Sequence, residues 1–277
     1  MISIIINCHN GEKYLTDALK SIFIQSYTNW EIIFWDNNSN DKSKKIFNSF
    51  KNNRLKYFYT KNKTSLYKAR NLALKKAKGE FITFLDTDDM WAKHKLKKQI
   101  NCFKKKKKVG LVYSNFWLMK DNNRKIKLFK KFSKTHSLFK RSILLNYEIG
   151  ILTVMIRRNI LISLKKIFIE NFSHIGDMDL MWRLSRICEF VSIKEPLAYY
   201  RLHQNSLSYT NKDNEIKELK KWVTDNKKKL NEKELNETYK KIANKKFLTN
   251  KLRNKYLSCF KIIYNSKYFK INIKNFV

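Results

Sequence analysis

The chain has 277 residues, with 60 Lys and Arg against 23 Asp and Glu, a formal net charge of +37, and 43% hydrophobic residues. That length can bury a sizeable core, and that apolar content excludes wholesale disorder. One proline, Pro196, and five glycines exclude a Pro/Gly linker and leave the turns to Asn, Asp and Ser.

Ser3–Asn7 reads as a buried strand, followed by the polar loop Cys8-His9-Asn10-Gly11. Leu15, Ala18, Leu19, Ile22 and Phe23 recur at helical spacing and predict a helix from Glu12 to Ser26. Trp30–Trp35 is a second strand and ends in Asp36-Asn37-Asn38-Ser39-Asn40-Asp41. The last three of these are good N-caps for a helix carrying Ile46, Phe47 and Phe50 inward. Leu55–Tyr59 is a third strand. Ser65–Lys78 then reads as a helix with Leu66, Ala69, Ala73 and Ala77 on one side and Gly79 at the C-cap.

The stretch that carries the most chemistry comes next. Phe81–Leu85, apolar apart from Thr83, reads as a strand covered on both faces, and it runs straight into Asp86, Asp88 and Asp89. The C-terminal edge of such a strand is where open α/β sheets bind ligands. Carboxylates this close repel one another unless a cation or hydrogen-bond donors offset them, and a Mg²⁺ or Mn²⁺ carried by a nucleotide diphosphate would do so. A solvated acidic turn is the bland alternative.

Trp91–Lys104 reads as a helix and Val109–Tyr113 as a further strand. Alternation with short connections predicts an α/β fold built on a doubly wound, mostly parallel sheet. The pattern weakens over Trp117–Asn146, which reads as a surface excursion or lid. Ile149–Ile156 returns to the core, and Arg157–Leu164 forms a short helix. The acidic loop His174-Ile175-Gly176-Asp177-Met178-Asp179 leads into a helix with Leu180, Leu184 and Ile187 on its buried face. Phe190–Ile193 and Leu197–Leu202 read as two strands separated by Pro196. Beyond Leu207 the composition shifts: Asn211–Val277 holds 19 basic against 7 acidic residues, with Leu219, Trp222, Val223 and Leu230 at roughly helical spacing. This basic helical appendage either lies on an anionic membrane surface or packs on the sheet with a solvated Lys face. Tyr264–Val277 mixes aromatic and basic residues and is either membrane-dipping or disordered.

Four polar clusters now stand together: Asn7–Asn10, Asp36–Asp41, Asp86–Asp89 and Asp177–Asp179. In a parallel sheet the first three share one edge. A mononucleotide across it needs acceptors for base and ribose, which Asp36 and Asp86 supply, and Arg70 on the preceding helix can reach the phosphates.

Six segments resemble, in order, the inverting family-2 glycosyltransferases with the GT-A fold. They are Ser3-Ile-Ile-Ile-Asn-Cys-His-Asn-Gly, Glu31-Ile-Ile-Phe-Trp-Asp-Asn-Asn-Ser-Asn-Asp, Ala69-Arg-Asn, Gly79 to Trp91, Asp177-Met-Asp-Leu-Met-Trp-Arg-Leu, and Pro196 to Ser208. The resemblance implies a GT-A domain over residues 1–208, divided into a nucleotide-sugar half (1–115) and an acceptor half (116–208), followed by the basic helical region 209–277. It implies that Asp36 holds the uracil end of a UDP-sugar beside Asn7 and His9. Asp86 would lie near the ribose, and Asp88 on a Mn²⁺ or Mg²⁺ that bridges the diphosphate. Asp177 matches the general base that deprotonates an acceptor hydroxyl, with Asp179 as the fallback. Arg201 and His203 match a late motif near the diphosphate and the metal. The chain departs from the family at Gly176, where an acidic residue is usual, and at Ile167-Phe-Ile-Glu-Asn-Phe, where a Gly-Gly-Phe-Asp-like stretch is common. Both departures fall on the acceptor side.

The implied partners are a UDP-sugar and a bacterial surface glycan or lipid-linked acceptor, with an anionic membrane surface possible through the C-terminal region. The rival class is a nucleic-acid-binding protein, which the charge motivates. Two features weigh against it: 50 of the basic residues are Lys and 10 are Arg, and acidic loops at strand ends repel phosphate. No nucleic-acid partner is expected. A nucleotidyltransferase of similar fold is the alternative within enzymes. Cys8, Cys102, Cys188 and Cys259 form no CxxC pair, as suits reduced thiols, and no run approaches the roughly 20 apolar residues of a membrane span. The expected location is cytoplasmic, with peripheral attachment to the inner face of the cell membrane left open.

Overall fold

The computed structural model describes residues 1–129, 144, 147–204 and 212–252. The central part of the Trp117–Asn146 excursion, the end of the late motif and Tyr264–Val277 lie outside the described residues. The strands are β1 (Ile2–Cys8), β2 (Trp30–Asp36), β3 (Leu55–Tyr59), β4 (Phe81–Phe84), β5 (Met90–Trp91), β6 (Val109–Met119), β7 (Lys125–Leu128), β8 (Met155–Arg157) and β9 (Glu189–Arg201). They form one nine-stranded sheet in the order β3-β2-β1-β4-β8-β6-β9-β5, with β7 paired to β6. β1 to β4 are parallel, β6 and β9 share their direction through β8, and β5, β7 and β8 run against them. The sheet is thus mostly parallel, as expected from the alternating pattern.

The helices are α1 (Glu12–Phe23), α2 (Ser43–Ser49), α3 (Leu66–Leu74), α4 (Lys95–Lys105), α5 (Arg158–Ile162), α6 (Gly176–Ser185), α7 (Lys212–Asn226) and α8 (Glu232–Leu252). Alternation along each strand divides the apolar side chains between two cores. Ile2, Ile4 and Ile6 of β1 pack with Leu15, Leu19 and Ile22 of α1, whereas Ile5 joins Ala69 and Ala73 of α3, Leu180 and Leu184 of α6, and Leu219 and Trp222 of α7. Each fully buried Ile or Leu contributes about 1.5–3 kcal/mol, so strands buried on both faces anchor the domain. Thr83, the one polar residue of β4, donates to the Val154 carbonyl at 2.6 Å and accepts from the buried Lys95 Nζ at 3.1 Å.

Several sequence expectations change. The first turn of the helix predicted from Trp91 is instead β5, which pairs with β9, and α4 starts at Lys95. The two late strands are one 13-residue strand; Pro196 lies opposite Asn115, where the register with β6 shifts, and a proline is tolerated at such an irregularity. Ile187 is 53% exposed, beyond the end of α6, and is no part of its buried face. Helix α3 ends at Leu74, so Gly79 is not its cap. A Cβ at Gly79 would sit 2.5 Å from the Ser3 backbone nitrogen, and Gly79 N–H donates to Ser3 Oγ at 2.7 Å. Close approach of the chain to β1 therefore selects this glycine.

Substituting Gly79→Ala forces β1 and the entry to β4 apart, at an expected cost of about 1–3 kcal/mol. A fall in the urea unfolding midpoint at unchanged slope is the expected result, and an unchanged midpoint would contradict the close approach.

Candidate functional site

The loops after β1 and β2 cap each other's helices. Asp41 accepts from Glu12 N–H at 2.8 Å and from Ser43 N–H at 2.9 Å, while Glu12 accepts from Lys42 N–H at 2.9 Å. Asn10 adds two more bonds between the same loops, its N–H donating to Ser39 Oγ at 3.0 Å and its Oδ1 accepting from Asn40 N–H at 2.9 Å, with Asn10 and Asn38 in the left-handed region at φ 56° and 66°. Orphan N–H groups at two helix starts are thereby satisfied, and the loops become one rigid rim. Asp36 is buried within it, accepting from Ser39 N–H at 2.8 Å and from Tyr57 Oη at 2.6 Å. His9 meets the Asn37 carbonyl through Nδ1 at 3.1 Å, and the buried amide nitrogen of Asn7 has no protein partner. Asn7, His9 and Asp36 thus share one edge.

Residues 86–89 form a tight turn, with Asp89 N–H donating to the Asp86 carbonyl at 3.2 Å. Because β5 follows at once and pairs with β9, the turn is drawn against the end of β9. His203 Nε2 lies 2.9 Å from Asp88 Oδ2, and Asp89 Oδ1 accepts from Arg201 N–H at 2.9 Å. Burial raises the Asp88 carboxyl above its usual range, and Asp86 pushes it further against the pull of His203. Asp89 is raised well above that range by burial, then by Asp88 and Asp86.

Arg201 is fully engaged by protein. Its Nε donates to the Asp88 carbonyl at 2.8 Å and its guanidinium to the Asp121 carbonyl at 2.7 Å and Asn123 Oδ1 at 2.6 Å, over the Tyr14 ring at 4.5 Å. It ties α1, the acidic turn and the β6–β7 hairpin together, and its donors face these groups.

Arg70 is also buried, on the inward face of α3. It donates to Asp177 Oδ1 at 2.8 Å and to both oxygens of Asp86 at 2.9 and 3.1 Å. Burial works against its charge, and the two carboxylates more than offset that, holding it above even its ordinary value. In this structure its donors serve carboxylates of both halves. Asp177 keeps 21% side-chain exposure toward the cleft, yet crowding by protein pushes its carboxyl up to about 6, against the pull of Arg70 and with a push from Asp86.

Gly176 has a steric reason. A Cβ there would sit 2.5 Å from the Tyr67 ring, and Tyr67 Oη accepts from Asp177 N–H at 3.4 Å. An aromatic ring fills the space a side chain at 176 would take. Asp179, the fallback base, is turned away: it pairs with Arg183 at 2.6 Å and accepts from Trp222 Nε1 at 2.9 Å.

The sequence reading missed the part that α7 and α8 take in the site. Glu218 of α7 accepts from the N–H groups of Ser173, His174 and Ile175 at 2.7, 3.0 and 3.2 Å, holding the loop that carries Asp177. The apolar face of α7 (Ile216, Leu219, Trp222 and Val223) is buried against the domain, so it offers nothing to a membrane. Among the described residues no helix is long and apolar enough to cross one. Asp177, Arg70 and Asp86 line a cleft of about 540 Å³ whose far wall includes Tyr147, Lys212 and Lys245. Glu218 immediately precedes Leu219 in the predicted helix, but nothing in the sequence says what it caps.

Co-directional strands with polar loops at one edge, and an added half that brings a carboxylate across from them, define the GT-A class of fold. Comparison with known proteins agrees. The sequence model of the family described as Glycosyl transferase family 2 matches residues 3–165. The UDP-Glc:alpha-D-GlcNAc-diphosphoundecaprenol beta-1,3-glucosyltransferase WfgD of Escherichia coli is 31% identical over 224 residues, covering 80% of this chain and 83% of that protein. The putative teichuronic acid biosynthesis glycosyltransferase TuaG of Bacillus subtilis is 31% identical over 212 residues, covering 75% and 81%. The structure of S. aureus TarS 1-349 in complex with UDP-GlcNAc superimposes with a TM-score of 0.71 at 21% identity, covering 89% of this chain and 72% of that one. The chain belongs to glycosyl transferase family 2 and is a glycosyltransferase.

Glu218→Ala leaves three N–H groups without their acceptor and loosens the Asp177 loop. The expected result is a loss of about 1–3 kcal/mol in unfolding free energy. Unchanged stability would show that the cap is dispensable.

Proposed function

We propose that this protein transfers a sugar, with inversion, from a UDP-sugar to a hydroxyl of a bacterial surface-glycan precursor on a lipid carrier. The observation that carries the reading is the Arg70 bridge: one buried guanidinium holds Asp86 of the acidic turn and Asp177 of the opposite half. The donor and acceptor sides are thereby fixed in register. The relatives support the substrate classes: WfgD is described as a UDP-glucose enzyme acting on a diphosphoundecaprenol-linked sugar, and the TarS complex holds UDP-GlcNAc.

In this reading Asn7, His9 and Asp36 receive the uracil end, and the unpartnered amide of Asn7 supplies a donor for it. Asp86 lies toward the ribose. Asp88 and His203, whose Oδ2 and Nε2 lie 2.9 Å apart, would hold a Mn²⁺ or Mg²⁺ ion, the carboxylate being the ligand type that suits both. Burial first and Asp86 second hold the Asp88 carboxyl above its usual range, and a cation bound there would offset both. When bound, such an ion supplies charge neutralisation for the departing UDP.

Asp177 accepts the proton of the acceptor hydroxyl. As that proton leaves, the oxygen forms its bond to the anomeric carbon from the face opposite UDP, and the carbon–oxygen bond to the diphosphate breaks. The carboxyl at about 6 is mostly ionised at neutral pH and more basic than an ordinary Asp. Arg70 binds only its Oδ1, orienting the group and leaving Oδ2 for the substrate. Arg201 acts at a distance, by holding the Asp88 turn.

Calorimetric titration of UDP with and without Mn²⁺ tests the donor site. Metal-dependent binding is expected in the wild type and lost in Asp88→Ala; metal-independent binding, or none, would overturn the assignment. Asp177→Asn is expected to lower kcat by about 10²–10⁴-fold with UDP binding intact, whereas equal losses of rate and binding would remove Asp177 from the base role. Because the base works deprotonated, kcat/KM should fall about tenfold per pH unit below the Asp177 value of about 6. A profile flat to pH 5 would contradict it.

A further inference from the structure

Beside the main cleft lies a second, smaller cavity of about 330 Å³ on the far side of Asp177 from the acidic turn. One stripe of α8 walls it. Lys241, Asn244, Lys245 and Leu248 are spaced three, four and seven residues along the helix and so share a face. Tyr147, His174, Glu215 and Lys245 line both cavities, so the two share a wall.

Two groups in this cavity are out of balance. Lys241 is only 9% exposed, and its one bonded contact is a weak one, Nζ to the Met178 sulfur at 3.3 Å. Among the described residues no carboxylate lies within ion-pair distance of it. The nearest acidic group, Glu215, is already engaged by Lys245 at 2.8 Å. A buried ammonium with no oxygen partner is costly and selects for an anion from outside. The hydroxyl of Tyr147 is likewise buried without a hydrogen-bond partner. Lys241 Nζ stands 5.9 Å from the Tyr147 ring centroid, so both idle donors serve the same small space. Burial, then Lys245, lowers the Lys241 ammonium to about 8, which a bound anion would reverse.

We propose that Lys241, Tyr147 and Lys245 form a subsite for a phosphate or diphosphate group of the acceptor, placed so that the sugar attached to it presents its hydroxyl to Asp177. The assignment of the anion to an acceptor rests on the transferase reading; anion binding itself does not. The donor's own diphosphate is a poor occupant, because its acidic turn and His203 lie on the other side of the Arg70 bridge. Leu248, 55% exposed at the cavity mouth, gives an apolar exit for whatever the phosphate is attached to. The C-terminal helices are then the element that reads the acceptor's charge.

The test uses inorganic pyrophosphate as probe, titrated calorimetrically into the full chain, both free in metal-free buffer and saturated with UDP and Mn²⁺. The wild type is expected to bind pyrophosphate in the presence of UDP. Lys241→Met should weaken that binding about 10–100-fold and Tyr147→Phe by less, with UDP affinity unchanged in both. Lys241→Met also removes a buried charge, so its unfolding midpoint should match or exceed the wild type and exclude misfolding as the cause. Equal pyrophosphate affinity in wild type and Lys241→Met, or no binding in the wild type with UDP bound, would overturn the subsite. Pyrophosphate binding that depends on Lys241 in a protein that fails to bind UDP would uphold the subsite and reject the transferase assignment. Displacement of the probe by a short-chain alkyl diphosphate, or by a glycerol phosphodiester oligomer, supports the site in either case and tells which carrier brings the anion.

Discussion

The acidic turn after β4 and the start of α6 are tied together across the cleft by one buried cation. Arg70 reaches Asp86 through one terminal nitrogen and Asp177 through the other, at distances between 2.8 and 3.1 Å. Removing one partner of a buried pair leaves a charge uncompensated, at a cost of about 3–5 kcal/mol, which makes the arrangement nearly all-or-none. The consequence reaches beyond stability. Asp86 and Asp177 come from segments 91 positions apart in sequence, and without the cation between them they would repel across the cleft. A planar fork suits this task better than an ammonium, because it addresses two carboxylates in fixed directions.

The same logic of buried charge explains the C-terminal helices. A carboxylate of α7, Glu218, takes three N–H groups just before α6, and Asp179 of α6 is taken by Trp222 of α7 and by Arg183. Each contact closes a group that neither side can satisfy alone. Asp177 is therefore free to face the cleft because its neighbours are secured from behind.

The sheet was legible because its strands are near-continuous apolar runs, and the acidic loops were legible because charge at the end of such a run has little other reason to be there. Tertiary pairing erased other signals. Trp91 looked like a helix start and is a strand, since β9 offered it a ladder. Gly79 looked like a cap and is a contact point. Arg70 and Arg201 were legible as members of the site but not in their partners, because a guanidinium's address depends on which carbonyls and carboxylates the fold brings within reach. Glu218, Tyr67 and Tyr147 carried no local pattern at all; their roles exist only after α3, α6 and α7 have packed.

The net charge of +37 then acquires a limited meaning. A field of that sign raises the local concentration of every anion, nucleotide-sugars and phosphorylated lipids included, but does not choose among them. Choice lies in the clefts, where signs are mixed. Asp36, Asp86 and Asp88 place carboxylates at one end, where a bare polyanion is repelled. On the other side of Arg70 the balance inverts, and Lys241 and Lys245 outnumber the carboxylate that serves them. A chain that recognised phosphate by surface charge alone would have no reason to bury acids at one end of its cleft and an unpaired lysine at the other. That opposition gives the cleft a direction: in the proposed reading the acidic end takes a nucleotide with its metal, the basic end takes a metal-free phosphate, and Asp177 stands between them.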